Sequence, residues 1–240
     1  RMSRVCVIIP TYNEAENLSK LIPLLLQLFE SNQLDAWILI VDDASPDGTG
    51  EVADDFVAHH RNVVVIHRRS KLGIGGAYKE GFSQALEDQE TQVVVEMDAD
   101  FSHDPIYLPQ IVQAAKRCHG VGLGSRYIEG GRIVGWPKSR QIVSWGANFL
   151  VRVIVGLPVK DATSGYRAYE RTALEKAGYL DAGTKAYAFQ VEMLHRCARH
   201  GFPIEEVPIT FHERQVGKSK LTRSDMVDFL RTAFRLGFRP

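Results

Sequence analysis

Asp98-Ala99-Asp100 places two carboxylates at i, i+2, directly after the apolar run Val93-Val94-Val95-Glu96-Met97. A run of this kind reads as a strand covered on both faces, and Phe101-Ser102-His103-Asp104-Pro105 ends it. Ligands of open α/β sheets sit beyond the carboxyl ends of the strands. Two hard oxygen donors there suit Mg²⁺ or Mn²⁺, since Mg²⁺ takes one or two carboxylates and completes its shell with substrate phosphates. A turn or a helix N-cap uses the same residue types, so the pair alone does not decide.

Two further strand ends carry polar clusters. Pro10-Thr11-Tyr12-Asn13-Glu14 follows the apolar run 5–9, and Asp42-Asp43 follows the run 37–41. Acids gathered at one sheet edge repel, and they are stable there beside a cation or a donor-rich ligand. A nucleotide supplies such donors: ribose hydroxyls and a base edge can bond to Glu14, Asp42 and Asp43, while Tyr12 can stack on the base. The alternative for Glu14 and Asp43 is helix capping. Gly73-Ile74-Gly75-Gly76-Ala77 lacks the lysine and hydroxyl of a phosphate loop and follows the third strand, so it reads as a tight turn packing a helix on the sheet. Basic residues come later: Arg126 after Ser125, Arg140 and Ser144 four apart on one helical face, and Arg214, Gly217, Ser219 and Lys220 in a loop. Singly these are surface charges; together they can hold phosphates from two substrates.

The elements that must position these groups alternate. Short apolar strands at 5–9, 37–41, 63–67 and 93–97 are separated by helical patterns at 17–28, 49–59 and 73–86. That alternation predicts a mostly parallel sheet with helices on both faces. Pro10 is expected to end the first strand, and Pro23 to kink or delay the first helix. Beyond Asp100 the pattern predicts a helix over 105–116, a strand over 120–125, a mobile glycine-rich loop over 129–138 and a helix over 139–155. A turn with a strand follows over 161–169, then a helix over 188–200. The segment 204–211 reads as one strand with an edge-type Pro208. The last segment, 224–238, is an amphipathic helix with Met226, Val227, Leu230, Phe234 and Leu236 apolar and Arg223, Arg231, Arg235 and Arg239 basic.

The 240 residues suffice for one large α/β domain, and the formal net charge of zero speaks against nucleic acid as a partner. Cys6, Cys118 and Cys197 are scattered and read as reduced core residues of a cytosolic protein. No stretch reaches the ~20 apolar residues of a membrane span, and no secretory leader is visible. A Rossmann-type oxidoreductase is disfavoured, because Pro10-Thr11-Tyr12-Asn13-Glu14 stands where its glycine fingerprint is required.

In this order the motifs resemble those of polyprenol-phosphate (dolichol-phosphate) mannose synthases, inverting glycosyltransferases of family 2 with a GT-A fold. To the strand-end motifs are added Gly124-Ser125-Arg126-Tyr127, Trp136-Pro137, Ser164-Gly165-Tyr166-Arg167 and Gly217-Lys218-Ser219-Lys220. The resemblance spans nearly the whole chain. It implies a single GT-A domain with a nucleotide-binding half (1–125), an acceptor-binding half (126–222) and a C-terminal amphipathic helix (223–240) able to lie at a membrane interface. It implies transfer of mannose from GDP-mannose to a polyprenyl phosphate. A polyprenyl-phosphate glucosyltransferase using UDP-glucose and a non-catalytic nucleotide-sugar-binding module are the alternatives.

By matching position, Pro10, Tyr12, Glu14, Asp42, Asp43 and Asp98 would hold the nucleotide sugar, with Arg214 and Lys220 reaching its diphosphate. Asp98 and Asp100 would hold the metal, with Ser102 at a position that contributes a ligand in some relatives. Arg126, Arg140 and Ser144 would bind the acceptor phosphate, and Asp98, Asp100 and Arg126 would form the catalytic set. Asp161 is a second candidate for orienting sugar hydroxyls; its other reading is a turn residue. Relatives often carry a membrane segment or use a membrane subunit, so the resemblance implies peripheral contact with the cytosolic face of a membrane.

Overall fold

The computed structural model describes residues 4–70, 73–183, 186–213 and 223–238. In chain order the first half holds β1 (Arg4–Thr11), α1 (Ala15–Ser31), β2 (Ala36–Asp42), α2 (Thr49–His59), β3 (Val63–His67), α3 (Ile74–Glu87) and β4 (Thr91–Glu96). The second half holds α4 (Leu108–Cys118), β5 (Val121–Ser125), β6 (Arg132–Val134), α5 (Lys138–Val155), β7 (Arg167–Glu170), α6 (Arg171–Ala177), α7 (Ala186–Arg199), β8 (Ile204–Pro208), β9 (Thr210–His212) and α8 (Arg223–Gly237).

Seven strands form one sheet in the order β3-β2-β1-β4-β7-β5-β8. All neighbours run parallel except β7, which is antiparallel to β4 and β5. Period-two alternation divides the core between its faces. Val5, Val7 and Ile9 of β1 pack with α1, α2 and α4, while Cys6 and Ile8 pack with α3, α6, α7 and α8. Both faces are covered, which is why these strands are apolar throughout. The expected mostly parallel sheet with helices on both sides is the observed fold. The order reverses between β1 and β4, since β2 and β3 extend one way and β4 returns on the other side. That switch point is where an α/β sheet opens a crevice, and Asp98 and Asp100 follow β4 into it.

Several local expectations are corrected. β1 runs through Pro10 to Thr11, paired with Val41 and Asp42. The Ile8 carbonyl faces β4, accepting from Met97 N, and the Thr11 carbonyl faces β2, accepting from Asp43 N. By alternation Pro10 faces the β4 side beyond the last pair, Ile8↔Glu96, so its missing donor breaks no ladder. α1 continues through Pro23 as one helix. Within the glycine-rich segment 129–138, Arg132–Val134 forms β6 and pairs in parallel with β9. The segment 204–211 is two strands: β8 is the edge of the large sheet, Pro208 ends it, and β9 leaves to pair with β6. α3 starts at Gly73 as predicted, but its closest approach to the sheet is at Gly81, where a Cβ would lie 2.7 Å from the Ile8 side chain.

Candidate active site

The loops after β1 and β2 are tied together. Asp42 Oδ1 accepts from Thr11 Oγ1 at 3.2 Å and from Ser45 Oγ at 2.5 Å, and its Oδ2 accepts from Ser45 N. Across the loops, Asn13 N bonds to Ser45 Oγ, Glu14 N to Thr49 Oγ1 and Ala15 N to Asp47 Oδ2. Asp43 is buried and structural in its visible bonds: Arg68 Nη1 lies 2.6 Å from Oδ1, and Gly73 N donates to Oδ2. Glu14 does not cap α1 through its side chain; its Oε2 accepts from Asn17 Nδ2. Pro10, Tyr12 and Glu14 are half-buried at this edge. Non-glycine residues in the left-handed region follow each of the three strands: Asn13 (φ 60°), Ala44 (φ 58°) and Phe101 (φ 60°). Alanine and phenylalanine rarely adopt this backbone, and such strain collects at functional sites.

At the end of β4, Asp98 keeps about a quarter of its side chain exposed while Asp100 is buried. Ser102 orients Asp100: its N and its Oγ both donate to Oδ1, at 3.0 and 2.6 Å. The buried Ser102 hydroxyl is thus a brace for Asp100, and the geometry gives no support to direct metal ligation by it. His103 braces Asp98. Its Nδ1 accepts from Asp98 N at 3.0 Å and its Nε2 lies 3.9 Å from Oδ2, so a neutral ring carries its proton on Nε2. The ring stacks on Tyr166 at 4.9 Å. Among the described residues no group of three or more His, Cys, Asp or Glu side chains could cage a metal. A partly exposed Asp98 with the buried Asp100 two residues on instead fits a hard divalent ion that would share its shell with a substrate diphosphate.

Two residues earlier, Glu96 is fully buried, with Gln190 Nε2 donating to Oε2 at 2.8 Å and Arg167 Nε 3.9 Å away. Burial pushes its carboxyl up to about 7, against the Arg167 charge, which lowers it. The unfolded chain ionises this group near the ordinary glutamate value, so between there and about 7 the folded state holds the extra proton. Stability from this group therefore falls as pH rises through that window, by about 3 kcal/mol in all. Urea unfolding of the wild type should show that loss, and Glu96→Gln should flatten it; parallel pH profiles for the two proteins would refute the assignment.

Arg126, directly after β5, is nearly buried. Its Nε and Nη2 fork onto Asp161 at 2.7 and 2.6 Å, its backbone N also donates to Asp161, and Nη2 reaches Thr163 Oγ1. Tyr127, Trp136 and Phe211 surround the guanidinium, with ring centroids 5.2–5.4 Å from it. Asp161 has no exposed surface, so it holds Arg126 and does not orient a sugar, which corrects the expectation. Asn148 of α5 completes the network through Thr163, and Glu206 accepts from Lys160 N and Asp161 N. Asn148 was not singled out from the sequence, although Arg140, Ser144 and Asn148 recur every four residues on α5 and that spacing is the signal that could have found it. Arg140 lies over Trp136 at 3.9 Å and pairs with Glu213 at 3.2 Å; Ser144 is half-buried one turn on. The two halves meet at Phe211, which packs edge-on against both His103 and Trp136. Arg214 and Lys220 lie outside the described residues.

Metal-suited carboxylates after β4 and a caged arginine after β5, carried on this sheet, fit a GT-A-like glycosyltransferase, and solved structures agree on the fold. Glucosyl-3-phosphoglycerate synthase from Mycobacterium tuberculosis, in complex with Mn²⁺, UDP-glucose and phosphoglyceric acid, matches with TM-score 0.70 at 16% identity, covering 96% of this chain and 80% of that one. A mannosyltransferase from Pyrobaculum calidifontis, in complex with GDP-mannose and Mn²⁺, matches with TM-score 0.63 at 21% identity, covering 99% and 66%.

Residues 6–178 match glycosyl transferase family 2, and the chain belongs to that family. An undecaprenyl-phosphate mannosyltransferase of Micrococcus luteus is 48% identical over 91% of this chain and 88% of its own. A polyprenol monophosphomannose synthase of Mycolicibacterium smegmatis is 42% identical over 98% and 88%. The motif resemblance to polyprenol-phosphate mannose synthases is borne out by these relatives.

Proposed function

We propose that this glycosyltransferase moves mannose from GDP-mannose to a polyprenyl phosphate with inversion at the anomeric carbon. The observation that carries the acceptor side is Trp136: the guanidiniums of Arg126 and Arg140 both lie against its ring, and Phe211 links that ring to the His103–Asp98 corner. Two cations on one indole suit a phosphate. The relatives' names support mannosyl transfer to a lipid phosphate, and GDP as the mannose carrier rests on the motif resemblance.

The nucleophile is a phosphate oxygen, already ionised at neutral pH, so no side chain has to remove a proton from it. The bond from that oxygen to the anomeric carbon forms as the bond to the GDP β-phosphate breaks, and GDP leaves with the electron pair. Asp98 and Asp100 would hold Mg²⁺ or Mn²⁺, which offsets the charge growing on the leaving diphosphate. Arg126, Arg140 and Ser144 align the acceptor and relieve repulsion between the two phosphates. Pro10, Tyr12, Glu14 and Asp42 form the nucleotide edge; Asp43 contributes through Arg68 and Gly73. Arg214 and Lys220 are assigned to the donor diphosphate by motif alone.

Assaying GDP-mannose and UDP-glucose with the same polyprenyl phosphate tests the donor. Transfer from GDP-mannose is expected, and turnover with UDP-glucose alone would replace this reading by the glucosyltransferase one.

The acceptor is a lipid, so we assign peripheral contact with the cytosolic face of a membrane to α5 and α8. No helix among the described residues is long and apolar enough to cross a membrane. α8 buries Phe229, Ala233 and Leu236 yet exposes Val227, Leu230 and Phe234, with Phe238 exposed just beyond its end; α5 exposes Ile142, Val143, Trp145, Phe149 and Val153. The two helices touch, since a Cβ on Gly237 would lie 2.2 Å from the Ile154 carbonyl. Trp145 is exposed while Trp37 and Trp136 are buried. Its emission should therefore shift to the blue on adding anionic vesicles, and unchanged emission would count against this face.

A further inference from the structure

Arg140 already carries an anion. Its Nη1 lies 3.2 Å from Glu213 Oε1, while the guanidinium rests on Trp136. A half-exposed pair of long side chains contributes little by itself. Here the backbone under the carboxylate is pinned. Glu213 N donates to the Val134 carbonyl at 3.0 Å, directly beyond the β6–β9 pairing. Gly135, at φ 89°, comes so close that a Cβ would lie 2.9 Å from Glu213 Cβ. Phe211, two residues before Glu213, packs edge-on against Trp136 at 5.3 Å. The ring beneath Arg140 and the carboxylate in front of it thus belong to one framework.

We propose that Glu213 is the built-in counter-ion of Arg140 and sets how tightly the acceptor is held, because an incoming anion must displace its carboxylate. The proposal rests on the reading that Arg140 binds the acceptor phosphate. A terminal phosphomonoester carries a charge of about −1.5 to −2 at neutral pH, more than the carboxylate it displaces. A phosphodiester headgroup carries a single charge and only matches it. Coulomb attraction scales with that charge, so Arg140 favours a polyprenyl phosphate over the phosphodiester lipids that surround it, while the cost of displacing the carboxylate is the same for both. A neutral hydroxyl acceptor meets that cost with no charge to offset it.

The test uses farnesyl phosphate as a detergent-soluble acceptor, with dihexanoyl phosphatidic acid (a monoester) and dihexanoyl phosphatidylglycerol (a diester) as competing inhibitors. The wild type should be inhibited better by the monoester. In Glu213→Gln the KM for farnesyl phosphate should fall about threefold, and both inhibitors should gain by about the same factor, leaving their ratio unchanged. Arg140→Gln should raise the KM in parallel. If Arg140→Gln leaves that KM unchanged, the acceptor reading itself falls. If Arg140→Gln raises it while Glu213→Gln alters neither the KM nor the two inhibition constants, the counter-ion proposal alone is overturned.

Discussion

Asp100→Asn should lower kcat/KM by about 10³-fold, at the upper end for removing one preorganised electrostatic contact. The substitution is nearly isosteric, and Ser102 N and Oγ can still donate to the remaining carbonyl oxygen as they do to Oδ1. Backbone geometry after β4, including Phe101 in the left-handed region, should persist, and circular dichroism should match the wild type. What disappears is one of the two charges proposed to hold the metal at the leaving diphosphate. The loss should appear in the apparent affinity for Mn²⁺ and in kcat. The KM for the polyprenyl phosphate should hold, because Arg126 and Arg140 belong to a separate network. Wild-type turnover by Asp100→Asn at saturating Mn²⁺ would remove the carboxylates from the mechanism.

The donor side was legible because its signal is local. An apolar run followed by acids marks a strand end whatever the rest of the chain does, and three such ends in one parallel sheet must share an edge. The acceptor side was legible as residue types and not as structure. Asp161 reads as a turn residue or a sugar ligand until its partner is known, and that partner, Arg126, stands 35 positions earlier in the chain. Arg68 likewise looks like a surface charge, although it is buried against Asp43 and Glu80. The β6–β9 pair joins segments that each look like loop or strand edge alone. Left-handed backbone at Ala44 and Phe101 could not be read at all, because neither residue type favours it.

The second large effect is expected at Asp161. Asp161→Asn keeps the shape of the site but leaves the Arg126 charge buried among Tyr127, Trp136 and Phe211 without a counter-charge. Breaking a buried pair in this way costs about 3–5 kcal/mol, and for a chain of this size the melting temperature should fall by roughly 10 °C. Activity should fall with it, which by itself would not separate folding from function. Arg126→Met/Asp161→Leu makes the separation. Removing both charges at once leaves no uncompensated ion, so much of the lost stability should return. Recovery will be incomplete, since the Arg126 backbone N also donates to Asp161. Transfer should stay absent in the double variant, because the guanidinium proposed to bind the acceptor phosphate is gone while the fold is restored. A double variant as unstable as Asp161→Asn would mean that the carboxylate does more than balance Arg126. A stable double variant with wild-type transfer would show that Arg126 has no part in the reaction.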